Sequence, residues 1–431
     1  MFTALAILST LAIGFAINEL LEDDDDPIVS NNQSTGGSGN DDDDNDDSTT
    51  GGSTTGGGTD GGSTDGGTTG GGNQTIVGND GTSTFGTAND DVLISRNATP
   101  IFGLGGNDLL TVEDDGQSTG STGQAFGLAD GGAGDDTLIA EGDAFLDGGD
   151  GNDSLQGLNG ATLSGGDGND TLEVADGEAR GLKGNDLIIG TGSDINGDAG
   201  NDTLTGSDGS DVSGGAGNDL ITVDTGSEGR GGDGDDTVIG RAATDKLAGE
   251  TVQRVVLEGN LGSDIVQGNT GTDIKGGQND SVLQAVIGQD EFYGVNNAAD
   301  GSMPSGLGAA VMTGFAGADQ FEVVIDDLTE RTDSIWSDPS LDITPVFGND
   351  PIVVINDFAV GEDMLVIDSE TPQDVEVVDD GAGGSLVVLD FGDANDNNGV
   401  SEDVILTLQL KGVPATTFNE SMIVFGSATT V

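Results

Sequence analysis

The chain has no cysteine and no histidine, and only 10 of its 431 residues are lysine or arginine. Without cysteine there is no disulfide framework, so stability outside the cell has to come from another source. Without histidine, serine and cysteine triads of the usual kind, nearly all zinc catalysis and imidazole acid–base chemistry are excluded. The shortage of basic residues is set against 79 acidic ones, a formal charge of −69. Such a chain cannot hold nucleic acid or an anionic membrane surface electrostatically, since both need clustered lysine and arginine. The compact state is itself opposed by self-repulsion. The counter-charge that suits short hard-oxygen ligands beside glycines is a divalent cation, Ca²⁺ above all.

Glycine supplies 79 residues and is distributed by segment. Phe2 to Leu21 is an apolar run with one charged residue, followed at once by Glu22-Asp23-Asp24-Asp25-Asp26. At about 20 residues it is long enough to cross a bilayer as a helix. No lysine or arginine precedes it, and Gly14-Phe15-Ala16 offers a small-residue cleavage site, so residues 1–22 read either as a retained membrane anchor or as a cleaved signal. Residues 23–75, with Asp41-Asp42-Asp43-Asp44 and long Gly/Ser/Thr stretches, have no apolar face. They are expected to form a disordered, self-repelling linker.

A repeat begins at Ile76 and decides the fold class. Full G-G-x-G-x-D hexapeptides run from Gly131 to Asp136, Gly148 to Asp153, Gly165 to Asp170, Gly214 to Asp219 and Gly231 to Asp236. Substituted versions end at Asp91, Asp108, Asp186, Asp202 and Asp264, and an eleventh, ending at Asp280, reads as one residue short. From Asp136 to Asp236 the aspartates recur every 16 or 17 residues, and the flanking intervals from Asp108 and to Asp264 are each 28. Two residues after the motif aspartates stand Leu93, Leu110, Leu138, Leu155, Leu172, Ile188, Leu204, Ile221, Val238, Val266 and Val282. Two residues before the first glycines stand Ile101, Ala129, Leu146, Leu163, Ala179, Ile195, Val212, Gly229 and Leu257. Facing sets of this kind predict a flattened coil whose strands stack into parallel ladders, an all-β roll over 76–289.

Only one of the two turns in each coil carries the motif. The other is a plain connection such as Asn159-Gly160 or Gly192-Ser193-Asp194, so one edge should bind cations and the other should not. Glycines admit positive φ and let carbonyls converge, and Ca²⁺ accepts six to eight oxygens in a tolerant geometry. Two aliphatic side chains per coil cannot offset the ordering of its backbone, so an ion has to contribute. A metal-free solenoid of the same shape would stack its aspartates along one edge with nothing between them.

The recurrent motif resembles the RTX, or hemolysin-type, calcium-binding repeats of proteins exported by Gram-negative bacteria. That resemblance implies a right-handed parallel β-roll that stays unfolded at low calcium and folds after passage through type I secretion machinery. It implies as ligands Asp91, Asp108, Asp136, Asp153, Asp170, Asp186, Asp202, Asp219, Asp236 and Asp264, with loop carbonyls at Gly132, Gly149, Gly166, Gly215 and Gly232. Residues 290–431 are expected to be a C-terminal β-rich capping region. Its last stretch from Val404 carries only Lys411 and Glu420 as charges after Val404 and is similar to an export signal. The catalytic domains of RTX proteases and lipases contain histidine, which is absent here. The expected role is therefore a secreted or surface-held calcium-binding protein without catalysis, extracellular and held to a membrane through residues 2–21 if the apolar segment is kept. The other readings are an adhesin or matrix-binding protein using residues 290–431, and a carboxylate-based hydrolase in the same region. Asp393 to Gly399 resembles the start of an EF-hand loop but lacks its glutamate, and reads as a hairpin loop.

Overall fold

The computed structural model describes residues 73–78, 82–96, 99–113, 127–242, 254–269, 271–287, 309–325, 351–369, 372–393 and 403–426. The N-terminal apolar run, the acidic linker before residue 73, most of the segment from Ser302 to Pro345 and residues 394–402 lie outside these. Among the described residues no helix is long and apolar enough to cross a membrane.

Each coil is built from one strand on either side of a motif turn. In the coil around Asp136, Gly127–Ala133 enters the turn and Thr137–Glu141 leaves it. Alternate strands go to opposite sheets, one of 15 strands and one of 16, and successive coils pair in parallel. The aliphatic ladder expected from the sequence is present. Leu138, Leu155 and Leu172 are register partners in one sheet, and Ala129, Leu146 and Leu163 in the other. All six are at most 1% exposed. The alternation of buried and half-exposed residues follows from the two-residue period of a strand, and gives a parallel all-β roll.

Two features of the pattern come out differently. Val282 was expected to face inward, two residues after a shortened motif ending at Asp280. The structure pairs Val266 with Leu283 and buries Leu283, while Val282 stays half-exposed. The turn is therefore full length, Gly276 to Ser281, and Ser281 occupies the place of the motif aspartate. The second difference is that neither sheet stops at residue 289. Ala310–Phe315 adds to Thr272–Gly277, and Gln320–Ile325 adds to Val282–Ile287. The turn between them, Gly314-Phe315-Ala316-Gly317-Ala318-Asp319, is a further copy of the motif with phenylalanine in its second position. Val353–Ile355 and Met364–Asp368 continue the two sheets. The antiparallel strands Asp374–Asp379, Ser385–Asp393 and Asp403–Leu410 extend the 16-stranded sheet beyond them. The C-terminal β-rich region is thus continuous in strand pairing with the repeats.

Candidate metal centre

The backbone of the motif turn alternates in hand. In the nine turns ending at Asp108 to Asp264, second and fourth positions take positive φ, as at Gly149 (+106°) and Gly151 (+147°). At the second position Leu104, Leu182, Asp198, Asn260 and Phe315 also do so, whereas every positive φ at the fourth position belongs to glycine. The sixth residue then drops its carboxylate into the roll. Asp91, Asp108, Asp136, Asp153, Asp170, Asp186, Asp202, Asp219, Asp236 and Asp264 are all between 1% and 3% exposed.

Their two oxygens have different surroundings. Oδ1 accepts the amide N–H of the motif aspartate one coil earlier: Asp136 N–H donates to Asp153 Oδ1 at 2.8 Å, and Asp153 N–H to Asp170 Oδ1 at 2.8 Å. Oδ2 of Asp108, Asp136, Asp153, Asp170, Asp186, Asp202, Asp219, Asp236 and Asp264 is buried with no hydrogen-bond partner. Each of these atoms lies under the first glycine of its own motif, where a side chain would begin. A Cβ on Gly131 would collide with Asp136 Oδ2 and stand 2.7 Å from the carbonyl oxygen of Gly148, the first glycine of the next coil. The same pair recurs at all nine, with carboxylate and carbonyl oxygens both within 2.9 Å of the point where that Cβ would be. The unpartnered Oδ2 and the carbonyl oxygen of the next coil thus border the same small space, an arrangement that a cation or a proton resolves.

Asp91 differs from the rest. Its Oδ1 accepts Gln74 N–H at 2.6 Å, and its Oδ2 accepts both the amide (2.6 Å) and the hydroxyl (2.8 Å) of Thr87. The carbonyl oxygens of Gly132, Gly149 and Gly215 lie against Gly149, Gly166 and Gly232 of the next coil. The carbonyls that face the carboxylates are those of the first glycines, which sequence reasoning passed over. Their signal was present, because the first position is glycine in every one of these nine turns.

Burial is the main cause of a raised pKa along this row. It pushes Asp136, Asp170 and Asp236 up to about 7, and Asp153 and Asp202 up to about 6, aided by neighbouring carboxylates and opposed by the amide N–H bond to Oδ1. Asp108, Asp186, Asp219 and Asp264 are raised for the same leading reason.

Outside this row runs a second one. Asn169 N–H donates to Asn152 Oδ1 at 2.9 Å, and Asn185 N–H to Asn169 Oδ1 at 2.7 Å, both exposed. This fifth-position ladder reaches back one coil while the sixth-position ladder reaches forward. The opposite edge is closed by hydroxyls, with Ser193 N–H donating to Ser210 Oγ and Ser210 N–H to Ser227 Oγ, each at 3.1 Å.

Among the described residues no three acidic side chains converge closely enough to hold a metal ion between them. A cation in the buried row would have to combine carboxylate with backbone carbonyl oxygens. The donor set is entirely hard oxygen, in a cradle that only glycine leaves open, and it fits Ca²⁺ better than a softer metal. Comparison with models of known families, with curated proteins and with solved structures finds no match to this chain.

Proposed function

We propose that this chain is an RTX-type, calcium-binding repeat protein, a structural module whose roll is completed by Ca²⁺. The observation that carries the reading is the row of nine buried Oδ2 atoms without a hydrogen-bond partner, each set against a carbonyl oxygen. When bound, Ca²⁺ supplies the positive charge that such facing oxygens lack. The residues that would hold it are the nine aspartates from Asp108 to Asp264 with the first-glycine carbonyls of the following coils. The chain's own contribution is positional: Oδ1 is fixed by an amide N–H, so Oδ2 is held in place, and the glycine beneath it keeps the space clear. Folding and ion binding are then one equilibrium.

The setting we propose is extracellular, at the millimolar calcium expected for extracellular modules. Export through type I machinery, with a release-or-anchor choice made at residues 2–21, accompanies that reading. Circular dichroism of the full chain tests it. The β-signal should grow on adding calcium and collapse with chelator, and a signal indifferent to both would sink the proposal.

A further inference from the structure

The buried row has two ends, and the structure assigns them to named residues. At the N-terminal end Thr87 donates its amide and hydroxyl to Asp91 Oδ2, so the first carboxylate has the partners that the next nine lack. At the other end stands Ser281, which keeps the backbone contact, its N–H donating to Asp319 Oδ1 at 3.0 Å, but brings no carboxylate. Its turn also loses the alternating hand. Positive φ recurs at Gly232 (+127°) and Gly234 (+139°), yet neither Gly277 nor Asn279 has it. Side chain and backbone therefore depart together at this end, and at the other end Thr87 and Asn89 of the first turn also lack positive φ.

Beyond Ser281 the interior changes in kind. A Cβ on Gly314 would meet Asp319 and then the Phe321 Cζ at 3.0 Å, where the earlier coils present a carbonyl oxygen. The following turn starts with Phe358 instead of glycine, and its Asp363 has both oxygens bonded, to Asp319 N–H at 3.0 Å and Ala359 N–H at 2.6 Å. Phe321, Phe358 and Phe418 form a buried aromatic chain with ring centroids 5.8 and 5.5 Å apart. Around it Val353, Ile355, Leu365, Ile367, Leu389 and Leu408 are all fully buried. In the earlier coils the second inward position is often glycine, as at Gly190, Gly206 and Gly240, and the apolar interior is correspondingly thin.

We infer that the cation-dependent block of the roll ends at Asp264, and that the coils from Ala310 onward hold together on their own apolar core without the ion. This rests on the calcium reading above. Aromatic and branched side chains supply dry area there in place of the ion, and the partly folded protein is then a formed C-terminal block carrying an unformed N-terminal one.

Hydrogen exchange of the full-length protein, read by mass spectrometry in calcium and in chelator, tests this. In chelator the amides of strands between Thr137 and Leu261 should lose protection by about a hundredfold or more, while those of Gln320–Ile325, Met364–Asp368 and Ser385–Asp393 change by less than about threefold. Loss of protection in both blocks together would overturn the inference and leave calcium binding standing. Protection unchanged in both would instead remove the calcium reading, and the inference with it. A second measurement uses variants. Asp219→Asn should raise the calcium midpoint severalfold and Asp319→Asn should leave it unmoved; equal shifts would place Asp319 inside the ion row and overturn the boundary.

Discussion

The amide N–H of Asp153 donates to Asp170 Oδ1 one coil ahead at 2.8 Å, while the other oxygen of Asp170 has no partner. One carboxylate thus has a structural half, bonded whatever the conditions, and a half that depends on what is dissolved in the solvent. The first two predictions separate these halves.

Asp170→Asn keeps an oxygen for the Asp153 amide and puts an NH₂ group in the space bordered by the Gly181 carbonyl. In chelator the variant should be more stable than the parent by about 1–2 kcal/mol, since a neutral hydrogen bond replaces two facing acceptors. In calcium the order should reverse, because a ligand has been lost. Thermal melts under the two conditions check the crossing; a variant less stable in both would show that Oδ2 is not an orphan in the metal-free protein.

Proton binding should act in the same place. Asp136, Asp170 and Asp236 are pushed up to about 7 in the folded, metal-free roll, above the ordinary carboxylate value they regain on unfolding. Between about pH 4 and pH 7 the folded chain therefore holds protons that the unfolded chain has released, so stability falls as pH rises across that window and levels off above it. The melting midpoint in chelator should drop when the buffer is moved from about pH 4.5 to about pH 7.5. A midpoint that climbs would contradict the burial of these oxygens.

Glycines of the motif should fall into two classes under substitution by alanine. At Gly165 a Cβ would collide with Asp170 Oδ2, whereas at Gly105 the nearest atom is 3.5 Å away. Neither position has positive φ, so left-handed backbone does not separate them, and space does. Gly165→Ala should cost about 2–4 kcal/mol and Gly105→Ala less than about 1 kcal/mol, read by denaturation in calcium. Similar losses at both would mean that the first glycine is needed for something other than the carboxylate beneath it.

The exposed amide ladder should matter less than the buried one. Asn169→Ala removes the acceptor for Asn185 N–H, but water reaches that site. A loss of about 0.5–1.5 kcal/mol is expected, with the calcium midpoint little changed. A large shift in that midpoint would place ions on the outer edge of the turn instead of inside it.

The spacing of the motif aspartates made the coils from Asp91 to Asp264 legible, together with the inward aliphatic residue of each. What stayed hidden were turns in which a position carries less constraint than the motif suggests. Phe315 sits at the second position of its turn, where Leu104, Leu182 and Asn260 also stand with positive φ, and its side chain points out, 63% exposed. The demanding position is the fourth, and a search on Gly-x-x-Gly-x-Asp alone would have found Gly314 to Asp319. Ser281 was missed for the opposite reason. Asp280 beside it offered a plausible aspartate one residue early, and only strand register distinguishes the two. The inward burial of the carboxylates was not legible, because nothing in a spacing tells whether the sixth residue turns toward the loop or beneath it.

The Oδ1 ladder joins residues 16, 17, 28, 38 and 44 positions apart in the chain by one and the same kind of bond, at Asp170–Asp186, Asp153–Asp170, Asp108–Asp136, Ser281–Asp319 and Asp319–Asp363. Distance along the polypeptide and distance along the molecule are therefore decoupled. Segments of very different length thus stand between successive rungs without altering the step from one rung to the next, and the number of rungs counts coils, not residues. Such a scaffold can acquire new surface by insertion while its interior remains the same object.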